Sequence, residues 1–379
     1  METRKLYYED CLLREFTAQV MACREEKGKY LVALDATAFY PEGGGQACDV
    51  GTLGDANVLD VQEIDGEILH FCDKPLAVGN RVEGKILWDR RFDLMQQHTG
   101  EHILSGIIYK RFGYHNVGFH MGANMVTFDF DGEIAPEALQ EIEQEANRVV
   151  WENLPVNCYI PSREALPQIP YRTKRELPWP VRIVEIPGVD SCACCGIHVP
   201  HTGQLGLIKL LSCVKFHQGA RIEMVCGQRA YNYVNQIFGE NRKISHMLSA
   251  KMPETAQGVE ALQKAYQEEK FRCVGLKNRL FAAIAESYRH IACPLHFEGP
   301  MSGSDLRELA EAIEKVCGGA IVCAGSDEGG YTVCILCEDA RGAGTRAAKA
   351  LGGRGGGKEN AYQGLFQATR AQISAYFGQ

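Results

Sequence analysis

The feature that most restricts the fold of this chain is a pair of pairs. His98 and His102 stand four apart in QQHTGEHILSGIIY, Cys194 and His198 stand four apart in CCGIHV, and nearly a hundred residues separate the two segments. On a helix, positions i and i+4 share a face with about 5–6 Å between them, so His98 and His102 can turn both imidazoles onto one ion. A thiolate and a third imidazole complete a nitrogen and sulfur set of the kind zinc takes tetrahedrally. Any fold that uses all four must bring distant segments together. Cys192 and Cys195 compete for the thiolate position, and the equal spacing of the two pairs favours Cys194. Four permanent protein ligands would make the zinc structural. A position left for water or substrate would make it catalytic, with His198 either a ligand or a base. HTGEH also fits H-x-x-E-H, in which Glu101 would activate water in a zinc peptidase; Cys194 and His198 argue against that, because such peptidases draw a carboxylate as third ligand.

Composition narrows the setting. The sixteen cysteines are scattered over a large mixed chain whose N-terminus, METRKLYYEDCLLREF, is charged and has no hydrophobic signal core. Most therefore read as reduced, small buried residues of a cytoplasmic protein. No apolar run is long enough to span a membrane. The net charge of −8 argues against nonspecific coating of nucleic acid but allows a local basic face.

At 379 residues, two or three domains are expected, and the pattern is α+β. Residues 1–89 read as a small β-barrel-like domain: KYLVALD and RVEGKILWD are strands, NVLDVQEIDGEILHF is a hairpin turning at Asp65-Gly66, and TAFYPEGGGQ between them is glycine-dense. Residues 90–227 read as the α+β domain that binds the metal. It opens on a helical period whose Gly100 and Gly106 each cost about 1 kcal/mol relative to alanine, which implies close packing there. NMVTFDFDG, VRIVEI, LGLIKLLSCVKF and ARIEMVCG are strands, and APEALQEIEQEANRVVWENL is an amphipathic helix. Residues 228–290 form a helical hairpin or coiled-coil segment broken near Met252-Pro253. Its second half carries a heptad-like series: Val259, Leu262, Tyr266, Glu269, Cys273, Leu276, Leu280 and Ala283. That series either packs on its own domain or makes a homodimer seam over 254–290, the C-terminal domain being the other candidate seam. Residues 291–379 form a C-terminal α/β domain, in which a short helix runs into a glycine-rich loop with Arg346, Lys349, Arg354 and Lys358.

Three separated motifs, TAFYPEGGGQACDVG, WDRRFDLMQQHTGEH and CCGIHVPHTGQLGLIKLLS, resemble the editing domain of alanyl-tRNA synthetases and the free-standing alanyl-tRNA editing proteins, the AlaX family. GARIEMVCGQRA resembles the strand that follows them, and GGRGGGKENAYQG resembles the DHH-associated domain of the long members. Two motifs depart from the family while keeping its spacing. Cys-Gly-Gly-Thr-His becomes Cys194-Cys195-Gly196-Ile197-His198, and Thr-Pro-Phe-Tyr becomes Thr37-Ala38-Phe39-Tyr40. The resemblance implies a long-type editor acting in trans. Its expected reaction is hydrolysis at a zinc site of the ester that joins serine, and also glycine, to tRNA(Ala). It also implies that Thr37 and Gln46 line the substrate pocket, with Gly43, Gly44 and Gly45 letting backbone approach the aminoacyl-adenosine. The basic residues Arg346, Lys349, Arg354 and Lys358 are the expected contacts to tRNA. From a different class, the chain would be a noncatalytic tRNA-binding module with a structural zinc. The clusters of aspartate and histidine that a DHH phosphoesterase needs are missing from the sequence.

Overall fold

The structure, a computed structural model, describes residues 3–173 and 177–378. It is a mixed α+β protein that divides into two compact units, Met1–Arg242 and Lys243–Gln379.

In the first unit, six strands close into a barrel in the order Glu15–Glu26, Lys29–Leu34, Glu67–Cys72, Ala56–Ile64, Gly51–Leu53 and Arg81–Ile86. Alternation drives it: Phe16, Ala18 and Val20 are buried while Glu15, Thr17 and Gln19 face out. The hairpin at Asp65-Gly66 forms where both central residues adopt positive φ, +52° and +81°, as the tight turn that matches strand twist requires. The strand expected over 81–89 ends at Ile86, and Trp88 already begins the next helix.

That helix, Trp88–Phe112, is the axis of the unit. Its residues from Leu94 to Ile108 are all buried, so it is enclosed on every side rather than laid on a surface. An added Cβ at Gly100 would overlap Cys226 Sγ, and one at Gly106 would overlap the carbonyl of Val189. The two glycines are the places where neighbouring elements touch the helix backbone. Around it lie a four-stranded antiparallel sheet ordered Ile208–Phe216, Gly219–Cys226, Val126–Phe130, Asn116–Met121, and a three-stranded one ordered Asn157–Tyr159, Ile183–Ile186, Asp190–Ala193. Arg91 joins helix to barrel. Its guanidinium is buried, donates to the Asp49 carboxylate and to the carbonyls of Ala38 and Cys11, and Asp49 in turn accepts from Tyr40 N at 2.6 Å.

In the second unit, the helix Thr255–Ser287 buries only Phe281 and Ala285, which pack with Leu306, Leu309, Ala310 and Ile313 of the helix Gly303–Cys317. The heptad-like series is not the packed face: Leu262, Tyr266, Leu276 and Leu280 are all more than half exposed. The sheet here is ordered Leu295–Glu298, Ala320–Ser326, Gly330–Leu336, Ala361–Phe366, Arg354–Lys358. Its first pair alone is parallel, joined by the crossover helix Gly303–Cys317; the other pairs are antiparallel. The expected glycine-rich loop is a strand. After the helix Ala340–Ala350, Arg354–Lys358 pairs with Ala361–Phe366 at the sheet edge, and the Tyr362 ring occupies the space that side chains at residues 344 and 355 would need. Among the described residues no helix is long and apolar enough to cross a membrane.

Candidate metal centre

His98, His102, Cys194 and His198 present ligand atoms within 4.8 Å of one another. The first two come from one face of the enclosed helix. The other two come from the segment after the strand Asp190–Ala193, which runs against that face. The glycine between Cys194 and His198 is required by contact, since a Cβ at Gly196 would overlap the His98 ring.

Each imidazole is held by its Nδ1, and each by a different partner. His98 Nδ1 donates to Gln46 Oε1 at 2.9 Å, His102 Nδ1 to Asp190 Oδ2 at 3.0 Å, and His198 Nδ1 to Thr99 Oγ1 at 3.2 Å. Thr99 accepts there because its own hydroxyl proton goes to Met95 O. Holding Nδ1–H fixes the tautomer and leaves Nε2 as the lone-pair nitrogen. His98 Nε2 lies 3.4 Å from Cys194 Sγ, and His198 Nε2 is buried with no partner in the chain. A buried nitrogen lone pair without a donor is costly in a structural setting and is what a metal ligand requires. Gln46 and Thr99 also fasten the facing segment, accepting from Ile197 N and Val199 N at 3.2 Å each.

The electrostatics favour a thiolate. Burial raises the Cys194 thiol, but His98, His102 and His198 together outweigh it and hold it well below the ordinary thiol range. Burial would lower His102, yet the Asp190 carboxylate and the Cys194 sulfur bring it well above its usual value. Burial, and then the charge of His98, lower His198. Asp190 is itself clamped by Arg172, Nε at 2.7 Å and Nη2 at 2.9 Å. Cys192 shares a smaller group with His102 and Asp190, while Cys195 is exposed beside Tyr40.

The glycine-rich turn abuts this centre. Gly44 and Gly45 adopt positive φ, +61° and +82°; side chains there would strike Cys195 and Phe119, the ring of which stacks on His98 at 5.4 Å. Gln46 is buried, with Oε1 engaged as described and Nε2 unpartnered. Gly43 bridges to Gln46 across the turn and receives the Tyr40 hydroxyl on its carbonyl. Thr37 lies elsewhere: its hydroxyl meets His70 Nε2 at 2.8 Å and accepts from Phe39 N, inside the barrel. In the second unit Arg346, Lys349, Arg354 and Lys358 are all exposed, and Arg346 pairs with Asp339.

Sequence reasoning missed Asp190, Arg172 and Thr99. Asp190 had a signal, a lone acid in PGVDSCACC beside the ligand cysteine. Thr99 had none beyond adjacency to His98.

Residues 181–223 match the family described as the threonyl and alanyl tRNA synthetase second additional domain, and residues 3–90 match class II (A) tRNA synthetases. The alanine–tRNA ligase of Thermofilum pendens is 33% identical over 97% of this chain, which spans 43% of that ligase. The alanyl-tRNA editing protein Aarsd1 of Mus musculus is 28% identical over 94% of this chain and 92% of its own length; that of Danio rerio is 26% identical over 97% and 95%. Over nearly its whole length the chain is similar to the alanyl-tRNA editing proteins, and to the corresponding part of the alanine–tRNA ligases, of which it spans less than half.

Proposed function

We propose that this protein hydrolyses mischarged tRNA(Ala), Ser-tRNA(Ala) first and Gly-tRNA(Ala) also, at a zinc site held by His98, His102, Cys194 and His198. The observation that carries this reading is the convergence of three Nε2 atoms on one cysteine sulfur while every Nδ1 is held elsewhere. Zinc bound there would supply a Lewis acid able to polarise the ester or lower the pKa of a water. His198, anchored through Thr99, acts as a ligand rather than a free base. The peptidase alternative has no support from the donor set, which contains no carboxylate.

The chain's own side chains supply selectivity. A synthetic pocket shaped for alanine discriminates poorly against an added hydroxyl, by a factor on the order of 10², whereas a site whose polar groups bond that hydroxyl rejects the analogue lacking it. Gln46 Nε2, buried and unpartnered, is the donor for substrate oxygen. Gly43, Gly44 and Gly45 let the chain approach the aminoacyl-adenosine. Thr37 contributes by fixing the start of that loop, because its hydroxyl already bonds His70 and Phe39. Exposed Arg354 and Lys358, four apart on one face of an edge strand, with Arg346 and Lys349, contact the tRNA backbone. The exposed apolar series on Thr255–Ser287 makes a homodimer, and the protein acts in the cytoplasm, where tRNA is charged.

The test is release of amino acid from seryl- and alanyl-tRNA(Ala) by zinc-loaded protein. Serine release with alanine retained is expected; no serine release under these conditions leaves only a noncatalytic tRNA-binding module.

A further inference from the structure

Glu101 has no part in the centre as described, yet it stands at its edge. The residue is buried, as are the two side chains that hold it. Glu101 Oε1 accepts from Ser105 Oγ and from Asn116 Nδ2, each at 2.6 Å. Oε2 lies 3.8 Å from His102 Nε2, within ion-pair reach but beyond hydrogen-bonding distance. Both donors on Oε1 are neutral, and among the described residues no lysine or arginine forms an ion pair with Glu101. The nearest charge to Oε2 is the His102 ring, which zinc would engage through Nε2, and the hydrogen bonds all fall on Oε1, so Oε2 keeps its accepting capacity for a donor that arrives with a ligand. The other nearby carboxylate, Asp190, is committed to His102 and Arg172. Glu101 is also outside the four-donor set that meets within 4.8 Å.

We propose that Glu101 holds the α-ammonium group of the aminoacyl ester, so that the site takes esters with a free amino group and rejects those in which that nitrogen is acylated. This rests on the hydrolase reading above and specifies its substrate class. The physical need is plain. A dication with one thiolate keeps a net positive charge, and an ammonium two bonds from the reacting carbonyl is repelled by it. A fixed carboxylate oxygen beside the ammonium offsets that repulsion and orients the ester. An N-acyl substrate brings a neutral amide, which leaves the carboxylate without its cation and adds bulk where Ser105 and Asn116 hold Glu101 rigid.

The test uses the full, zinc-loaded chain and two non-hydrolysable probes, 3′-deoxy-3′-(L-serylamino)adenosine and its N-acetyl counterpart, with affinities read by calorimetry. The wild type is expected to bind the free amine about 10- to 100-fold more tightly, the worth of one hydrogen bond to a charged group. Glu101→Gln keeps an oxygen for Ser105 and Asn116; it should retain stoichiometric zinc and erase the preference. Equal binding of both probes by the wild type overturns the proposal, and needs no variant to fold. So does a Glu101→Gln protein that keeps the preference, or one that loses its zinc, which would make Glu101 a ligand. Seryl-tRNA hydrolysis by the same wild-type sample reports separately on the function. Hydrolysis with equal affinities sinks this proposal alone, and neither hydrolysis nor binding sinks both.

Discussion

Asp190 Oδ2 lies 3.0 Å from His102 Nδ1, and that one contact decides which nitrogen of the ring faces Cys194. The carboxylate stays ionised although burial raises its pKa, because His102 and Arg172 outweigh the burial and hold it below the usual range. Asp190→Asn keeps the shape but loses the charge that favours the donor tautomer. Metal affinity should fall by about 10- to 100-fold, measured by competition with a chromogenic chelator. An affinity within twofold of wild type would mean that the carboxylate does not orient His102.

Three cysteines lie within a four-residue stretch, and their surroundings differ. Cys194 sits among the three imidazoles, Cys192 beside Asp190, and Cys195 at the surface near Tyr40. Burial pushes Cys192 up to about 11 and also raises Cys195, so neither is a thiolate at neutral pH. Bound zinc per chain, read by atomic emission, should drop to background in Cys194→Ala and stay near one in Cys192→Ala and Cys195→Ala. Equal zinc in all three variants would defeat the assignment.

Arg91 and Asp49 form a fully buried pair that also anchors Tyr40, three residues before the glycine-rich turn. Arg91→Met strands the Asp49 carboxylate. Removing one member of such a pair costs about 3–5 kcal/mol, which urea unfolding of the variant should register as a lower midpoint. The double variant Arg91→Met/Asp49→Leu should recover a good part of it. A single variant as stable as the parent would show that the pair is not what joins the helix to the barrel.

Much of this centre was legible in the sequence because helical spacing is a local rule. His98 and His102 needed only the i, i+4 geometry, and Gly100 and Gly106 announced close neighbours before the neighbours were known. The Asp65-Gly66 hairpin was legible for the same reason, since turn chemistry is carried by two residues. What could not be read depends on register between distant segments. Asp190 becomes the partner of His102, and Thr99 that of His198, only once the strand Asp190–Ala193 lies along the helix. The edge strand Arg354–Lys358 was hidden because three consecutive glycines carry no strand propensity; it forms because Ala361–Phe366 offers a pairing edge and Tyr362 needs the space. The heptad-like series misled in one respect. Its period is real, but the face that packs within the unit is the one bearing Phe281 and Ala285.

His70 gives the barrel a dependence on acid. Its Nδ1–H donates to Val32 O at 3.0 Å, so Nε2 is the acceptor for the Thr37 hydroxyl. The ring is fully buried, and burial lowers its pKa to about 4 from an ordinary value of 6.5. Between those values the unfolded chain takes up the proton and the folded chain does not, so stability must fall as the pH drops through that window and be level above it. The two values differ by 2.5 units, which corresponds to about 3 kcal/mol at the acid end. His70→Gln offers Thr37 an acceptor that does not titrate. Urea midpoints of both proteins between pH 7 and pH 4 should therefore diverge, with the wild type losing stability faster. Subtracting the two curves cancels the acid release of metal, which both share. Parallel curves would mean that His70 is protonated inside the barrel, and that the loop beginning at Thr37 is held by some other contact.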